Sequence, residues 1–306
     1  MSQRRSASQR PSYAAIRQRY VDEEKPLPAE LERQLRADPR PAALAILAAI
    51  DRRRRSGRSE GQRLRKILRY ERTLWERGIV HVAGVDEAGM SPLAGPVAAA
   101  AVIFPPGFRL PGVDDSKKLD AKTRERLAPL IREGALACAV GFVEPEEIDR
   151  INIYWAGILA MKRAVGKLAL TPAHVLVDGR KIHNLSVPQE RIYKGDQKSI
   201  SIAAASILAK TARDARMVAY AEQYPEYGFS IHKGYPVRAH REALARHGAC
   251  PIHRRSFVAV RQALGLPPLA EWPSAEERAS LPAFAELTLA LPASSPAHAN
   301  PARARS

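Results

Sequence analysis

The order of apolar runs predicts an α/β fold, a mixed β-sheet with helices packed against it. Strand-like runs first come in succession, at Ile79–Val85, Val97–Phe104 and Ala137–Val143, and short ones at His174–Val177 and Arg191–Tyr193 then alternate with helical stretches. Consecutive strands suit antiparallel pairing and alternating ones suit parallel crossovers, so both pairings should meet in one sheet. The first strand also ends abruptly in two adjacent acids, Asp86 and Glu87, before a turn through Gly89, Ser91, Pro92 and Gly95. Acids that only solvate a surface are scattered, whereas these close a hydrophobic run inside a glycine-flanked turn, which marks the strand end as a candidate site.

Taken in order, Met1–Arg10 is polar and basic and is expected to be disordered. Helical periodicity follows at Pro41–Arg55, with Leu44, Ile46, Leu47 and Ile50, and at Arg58–Arg77, with Leu64, Ile67, Leu68, Leu74 and Trp75. Residues 1–78 therefore read as a basic, largely helical N-terminal extension. They hold 20 Lys and Arg against 10 Asp and Glu, more than half of the excess charge of the chain. Residues 79–265 carry the sheet. Between its second and third strands VDDSKKL (Val113–Leu119) leads into a helix from Ala121, and further helices are predicted at Pro145–Lys167, Ser199–Gln223 and Pro236–His247. From Leu266 to residue 306 Pro, Ala and Ser dominate, the composition of a disordered tail.

The totals narrow the function. At +17 net charge over 306 residues, with 45% hydrophobic content, the chain has enough apolar material for a core and suits a polyanionic partner, nucleic acid before membrane. Cys138 and Cys250 are too few for a disulfide framework. The apolar runs fall far short of a membrane span, and no apolar stretch follows the basic start, so a soluble cytoplasmic protein is expected.

Two further acids repeat the pattern at Asp86: Asp178 follows an apolar run and precedes Gly179 in LVDG (Leu176–Gly179), and Asp196 ends YKGD (Tyr193–Asp196). Carboxylates at strand ends with no His or Cys among them suggest a hard cation held by oxygens, Mg²⁺ or Mn²⁺. Adjacent residues on a regular strand face opposite ways, so Asp86 and Glu87 could share one ion only if the backbone twists or bulges there. Asp214, between Lys210 and Arg213, Arg216 on a helix, reads as a local ion pair. Asp114 and Asp115 adjoin Lys117 and Lys118 and read as structural or phosphate-positioning. His183 and His232 read as loop residues and His174 as a strand start; His247, Cys250 and His253 lack a fourth ligand for zinc.

The segment DEAGMSPLAGPV (Asp86–Val97) resembles the signature of the ribonuclease HII family, whose usual form is DEAGRGPLAGPV, and DDSKKL, LVDG, KGD, SIAAASILAK, GYP and PIHRRSF extend the resemblance over about Ile79–Val260. The resemblance implies a ribonuclease H-like fold. It also implies an endonuclease that cuts the RNA strand of RNA–DNA hybrids and incises at ribonucleotides embedded in duplex DNA, with two divalent ions, leaving 5′-phosphate and 3′-hydroxyl ends. The family's metal-site acids match Asp86, Glu87, Asp178 and Asp196, and its junction-sensing tyrosine matches Tyr235. The family's Gly-Arg-Gly element, which reads the ribonucleotide through backbone groups, matches Gly89, Met90 and Ser91. Lys117, Lys118, Lys194, Lys198 and Lys210 are candidate phosphate contacts, as are Ser199, Ser201 and Ser206 around the start of a helix. Met90 and Ser91 depart from the family, removing a cation and glycine's freedom at positive φ, so metal binding should survive while junction recognition weakens or alters. A monomer is expected. The alternatives are a DNA nuclease of related fold and a catalytically weak nucleic-acid-binding protein.

Overall fold

Four alanines between valine and isoleucine give β2 (Val97–Ile103) a narrow, entirely buried profile, and the architecture is built around that strand and its neighbour β1 (Val82–Ala88). The computed structural model describes residues 11–269, 272 and 281–288. Its sheet also contains β3 (Ala137–Val143), β4 (His174–Asp178) and β5 (Gln189–Ile192), in the order β3-β2-β1-β4-β5. The pairs of β1 with β2 and of β2 with β3 are antiparallel; those of β1 with β4 and of β4 with β5 are parallel. This is the mixed sheet that the order of apolar runs predicts.

Each face is covered by one long apolar helix. α7 (Ile153–Gly166) lies on the face of Val85, Ala99 and Ala101, and α8 (Ile200–Gln223) on the face of Ala100 and Val102. Close approach depends on glycine. A Cβ on Gly84 of β1 would stand 2.2 Å from the Ser201 carbonyl carbon, and one on Gly141 of β3 would stand 2.4 Å from the Ala160 oxygen. Further helices of this unit are α4 (Arg69–Trp75), α5 (Ala121–Gly134), α6 (Pro145–Ile151), α9 (Phe229–His232), α10 (Arg238–His247) and α11 (Val258–Ala263), with a last one at Pro282–Thr288.

The chain divides into two compact units, residues 1–63 and 64–306. In the first, the helices Tyr13–Arg17 and Ala29–Arg36 and the start of Pro41–Ile67 bury Ile16, Leu35, Ile46, Leu47 and Ile50 together. Several of its arginines are already committed to acids: Arg54 and Arg36 bond Glu32 at 2.8 and 2.7 Å, and Arg40 bonds Asp38 at 2.7 Å.

The structure departs from the sequence expectations in three places. Pro41–Ile67 is one continuous helix, because Gly57 and Gly61 each cost only about 1 kcal/mol and no proline interrupts it, while the expected helix Arg58–Arg77 breaks at Leu68, ahead of α4. Pro145–Lys167 is two helices, broken at Asn152, whose φ is 70° and whose side chain caps α7 by accepting from Trp155 N at 3.2 Å. Within the segment expected to be without structure, Pro282–Thr288 is helical: Leu287 is buried, Lys162 Nζ donates to its carbonyl at 2.7 Å, and Glu286 pairs with Arg163 at 2.7 Å. The expected disorder at Met1–Arg10 and over most of the tail lies outside the described residues. Among those described, no helix is long and apolar enough to cross a membrane.

Gly84→Ala should therefore cost about 3 kcal/mol, since the backbone of Ser201 and Ile202 and the Ser201 hydroxyl stand in the way of the new methyl group and a packed core relaxes little. Urea unfolding checks this; an unchanged midpoint would show that α8 can move off β1.

Candidate active site

Asp86 and Asp178 end the hydrophobic stretches of two adjacent parallel strands. They sit one residue beyond the last paired residues, Val85 and Val177, and are thus level with each other on the face that α8 covers. Asp178 Oδ1 accepts from Gly195 N at 2.6 Å, fixing the short turn Gly195–Gln197 that carries Asp196. Glu87 takes the opposite face. The β1–β2 ladder runs on without a bulge through Asp86 with Ala100 and Glu87 with Ala99, so the distortion expected between the two acids is absent. Glu87 instead stands 3.7 Å from Arg180. The acids straddle the carboxyl edge of the sheet, the place where open α/β sheets bind ligands.

Their electrostatics are those of crowded like charges. Burial, followed by the charges of Glu87 and Asp178, pushes the Asp86 carboxyl well above the usual carboxylate range. Glu87 is raised by burial and Asp178, against the opposing pull of Arg180. Asp196 is pushed up to about 6 by burial, then by Asp115 and Asp178. Asp115, which from sequence reads as structural or phosphate-positioning, shares a hydrogen bond with Asp196 and belongs to this cluster. Lys117 does too: burial lowers its ammonium pKa, but Asp86, Asp196, Asp115 and Asp178 outweigh this and hold it above the ordinary lysine value. Among the described residues, no three His, Cys, Asp or Glu side chains are already gathered to hold a metal ion. The donor set itself, carboxylates alone and mutually repelling, fits a hard divalent cation.

The loop from Gly89 to Pro96 is held from beneath by two buried arginines. Arg254 donates to the carbonyls of Gly89 at 2.6 Å, Met90 at 3.2 Å and Gly95 at 2.9 Å. Arg213 donates to Pro96 at 2.9 Å, Ala94 at 3.0 Å and Lys233 at 3.0 Å. Neither arginine emerged from the sequence as a site residue, although RRSF was the available signal. Gly89 and Gly95 have φ of 92° and 84°, whereas Ser91 is not among the residues at positive φ; the strain expected there from losing glycine does not arise. Met90 turns toward α7: its Cε would lie 3.0 Å from a Cβ on Gly157.

The substrate-contact candidates scatter more. Tyr235 is half-buried, with Lys210 Nζ 5.2 Å from its ring centroid, and Lys210 bonds Asp214 at 2.7 Å, the local ion pair expected for that acid. Lys118 pairs with Asp114 at 3.3 Å, and Lys194 is exposed at a φ of 53°. Ser199 and Ser201 are fully buried and both donate to the Glu71 carboxylate, so neither hydroxyl faces solvent as a phosphate contact would. Ser206 is likewise buried, between Ser116 and Asp86.

Comparison with known proteins accords with this arrangement. A family model described as ribonuclease HII matches residues 83–260. The chain is 58% identical over 250 residues to the ribonuclease HII of Myxococcus xanthus, covering 81% of this chain and 85% of that protein. It is 56% identical over 260 residues to the ribonuclease HII of Anaeromyxobacter sp., covering 85% and 82%. Among solved structures, the ribonuclease H2 of Pyrococcus horikoshii aligns with a TM-score of 0.51 at 26% identity, over 60% of this chain and 96% of that one.

A histidine relay supports the segment bearing Tyr235. His253 Nδ1 accepts from Cys250 N at 3.1 Å, its Nε2 meets His240 Nε2 at 3.1 Å, and His240 Nδ1 meets the Tyr235 carbonyl at 2.9 Å. This chain of partners assigns one proton to each ring: His253 donates to His240, and His240 donates to Tyr235. Burial, foremost, pushes both histidines down to about 4. The unfolded chain thus binds more protons between pH 6.5 and 4, and the stability from neutral His240 and His253 is present above 6.5 and lost as pH falls toward 4. Wild type should lose about 3 kcal/mol more than His240→Asn over that interval, measured by urea unfolding at each pH. Parallel pH profiles for the two proteins would remove the relay.

Proposed function

The chain belongs to the ribonuclease HII family, and from that premise we propose that residues 79–265 form the catalytic domain of an endoribonuclease. It acts on the RNA strand of RNA–DNA hybrids and incises at ribonucleotides embedded in duplex DNA, leaving 5′-phosphate and 3′-hydroxyl ends. The observation that carries this reading is the side-by-side placement of buried Asp86 and half-buried Asp178 on adjacent parallel strands, with Glu87 and Asp196 raising the local negative charge further.

Asp86, Glu87, Asp178 and Asp196 would hold two divalent ions, Mn²⁺ or Mg²⁺; when bound, these supply the positive charge that acidifies the attacking water and stabilises the leaving 3′ oxygen. The protein's own groups do the rest. Asp178 is held in place by the Gly195 amide at 2.6 Å. The Glu87 carboxylate lies 3.7 Å from the Arg180 guanidinium, whose charge favours its ionised form. Lys117 tempers the repulsion among the acids before a polyanion arrives. The loop Gly89–Ser91 turns the Gly89 and Met90 carbonyls down to Arg254, which frees this stretch of backbone to meet the ribose and its 2′-hydroxyl, the group that separates RNA from DNA. Tyr235, set on the neighbouring segment with Lys210 beside its ring, supplies a flat apolar surface for the sugar at the junction. Without an arginine at position 90, preference for a single embedded ribonucleotide should be weaker than for a long hybrid.

Asp178→Asn should lower cleavage of a hybrid at least about 100-fold, the scale of losing one electrostatic contact to the transition state. Mapped cuts on a duplex with one ribonucleotide, a long hybrid and a ribonucleotide-free duplex check the substrate. Cutting of the ribonucleotide-free duplex would make the protein a DNA nuclease, and binding without Mn²⁺-dependent turnover would make it a binding protein.

A further inference from the structure

We infer that a basic cavity on the connection between β4 and β5, beside Glu87, binds the phosphodiester backbone of the substrate next to the cut, with Arg180, Lys181 and Arg191 as its cations. The inference rests on the nucleic-acid substrate proposed above. Gly179, at a φ of 65°, turns the chain back immediately after Asp178, so Arg180 returns over the site rather than continuing away from it. Its guanidinium stacks on Tyr154, 5.2 Å from the ring centroid, and stands 3.7 Å from Glu87, outside hydrogen-bonding reach. It also reaches within 3.9 Å of where a Cβ on Gly157 would be, the same point that Met90 approaches to 3.0 Å. A cation therefore occupies the neighbourhood of Met90 without coming from that residue.

The cavity beyond it has a volume of about 500 Å³, and Tyr154, Arg180, Lys181, His183 and Arg191 line it together with Glu190. Lys181 and Arg191 are exposed, and neither has an ion-pair partner among the described residues. Three cations against one lining carboxylate favour an anion, and the exposed face of Tyr154 offers a surface on which a sugar or base can rest. Arginine on a planar ring with free N–H donors is well suited to a phosphate, which it can meet with two parallel hydrogen bonds. The rival explanation is that charges along β5, an edge strand, merely discourage sheet-to-sheet association.

The experiment measures binding of a short RNA–DNA hybrid to the full-length protein in EDTA, where cleavage does not interfere, over a range of salt concentrations. Wild type is compared with Arg180→Ala and with the double variant Lys181→Ala, Arg191→Ala, whose side chains are exposed enough to spare the fold. Each phosphate contact removed should flatten the plot of log affinity against log salt by about 0.9, so the double variant should lose close to 2 in slope and about tenfold in affinity near physiological salt. Arg180→Lys should retain the slope that Arg180→Ala loses. An unchanged slope in the double variant, with wild type still binding and cutting the hybrid, would overturn the inference and leave the proposed function standing. An unchanged slope with new self-association would assign the charges to edge protection. A wild-type protein that neither binds nor cuts hybrid would overturn both.

Discussion

Repulsion among acids at the carboxyl edge of the sheet is the constraint to which the surrounding structure answers. Asp86 is buried beside Glu87 and Asp178, an arrangement that costs free energy wherever all three ionise. A loose scaffold would relieve it by letting the side chains swing into solvent. This one does not, because β1 is paired on both sides and α8 lies against Gly84 at backbone distance. Stability is thus spent on holding negative charge in a small volume, and only a partner of opposite charge can recover it. Raised carboxyl groups and a raised Lys117 are two signs of the same field.

The same economy governs the loop after β1. Arg213 and Arg254 are fully buried with backbone carbonyls as their hydrogen-bond partners, and burial pulls both guanidinium groups below their usual basicity. A lysine at either place would offer a single point charge to carbonyls that lie in several directions, whereas the arginine fork reaches three at once. The loop's path is therefore set by its main chain and by two side chains more than a hundred residues away, and little of it depends on what residues 90 and 91 carry.

That dependence explains which parts of the site could be read from the sequence. Asp86, Asp178 and Asp196 announce themselves because each follows an apolar strand and lies within three residues of a glycine, a local signal. The mixed sheet follows from the spacing of apolar runs for the same reason. Arg254, Asp115 and Arg180 were not legible: each acts on a residue far away along the chain, and nothing within a window around it separates a buried, carbonyl-bonded arginine from a surface one. Ser199 and Ser201 misled in the opposite way. Their place at the start of α8 suggested an anion site, but Glu71 from α4 already occupies it, capping the helix with a buried carboxylate. The helix Pro282–Thr288 was hidden by composition, since proline and alanine obscure the Phe284 and Leu287 contacts that fasten it.

The two departures at Met90 and Ser91 take on a different meaning once the loop's supports are known. Ser91 adopts a backbone angle open to any residue, so glycine's freedom is not required there. Met90 carries an unbranched, polarisable side chain to Gly157 of α7 and packs with the core on that side, a place where a guanidinium would need a partner. Because Arg213 and Arg254 determine where the loop runs, both replacements leave its carbonyls where they are. What changes is the charge beside this loop. Arg180 reaches that neighbourhood from just beyond β4, 3.7 Å from Glu87 and two residues past Asp178. In this chain, then, the positive charge beside the acids is coupled to an acid-bearing strand rather than to the loop after β1.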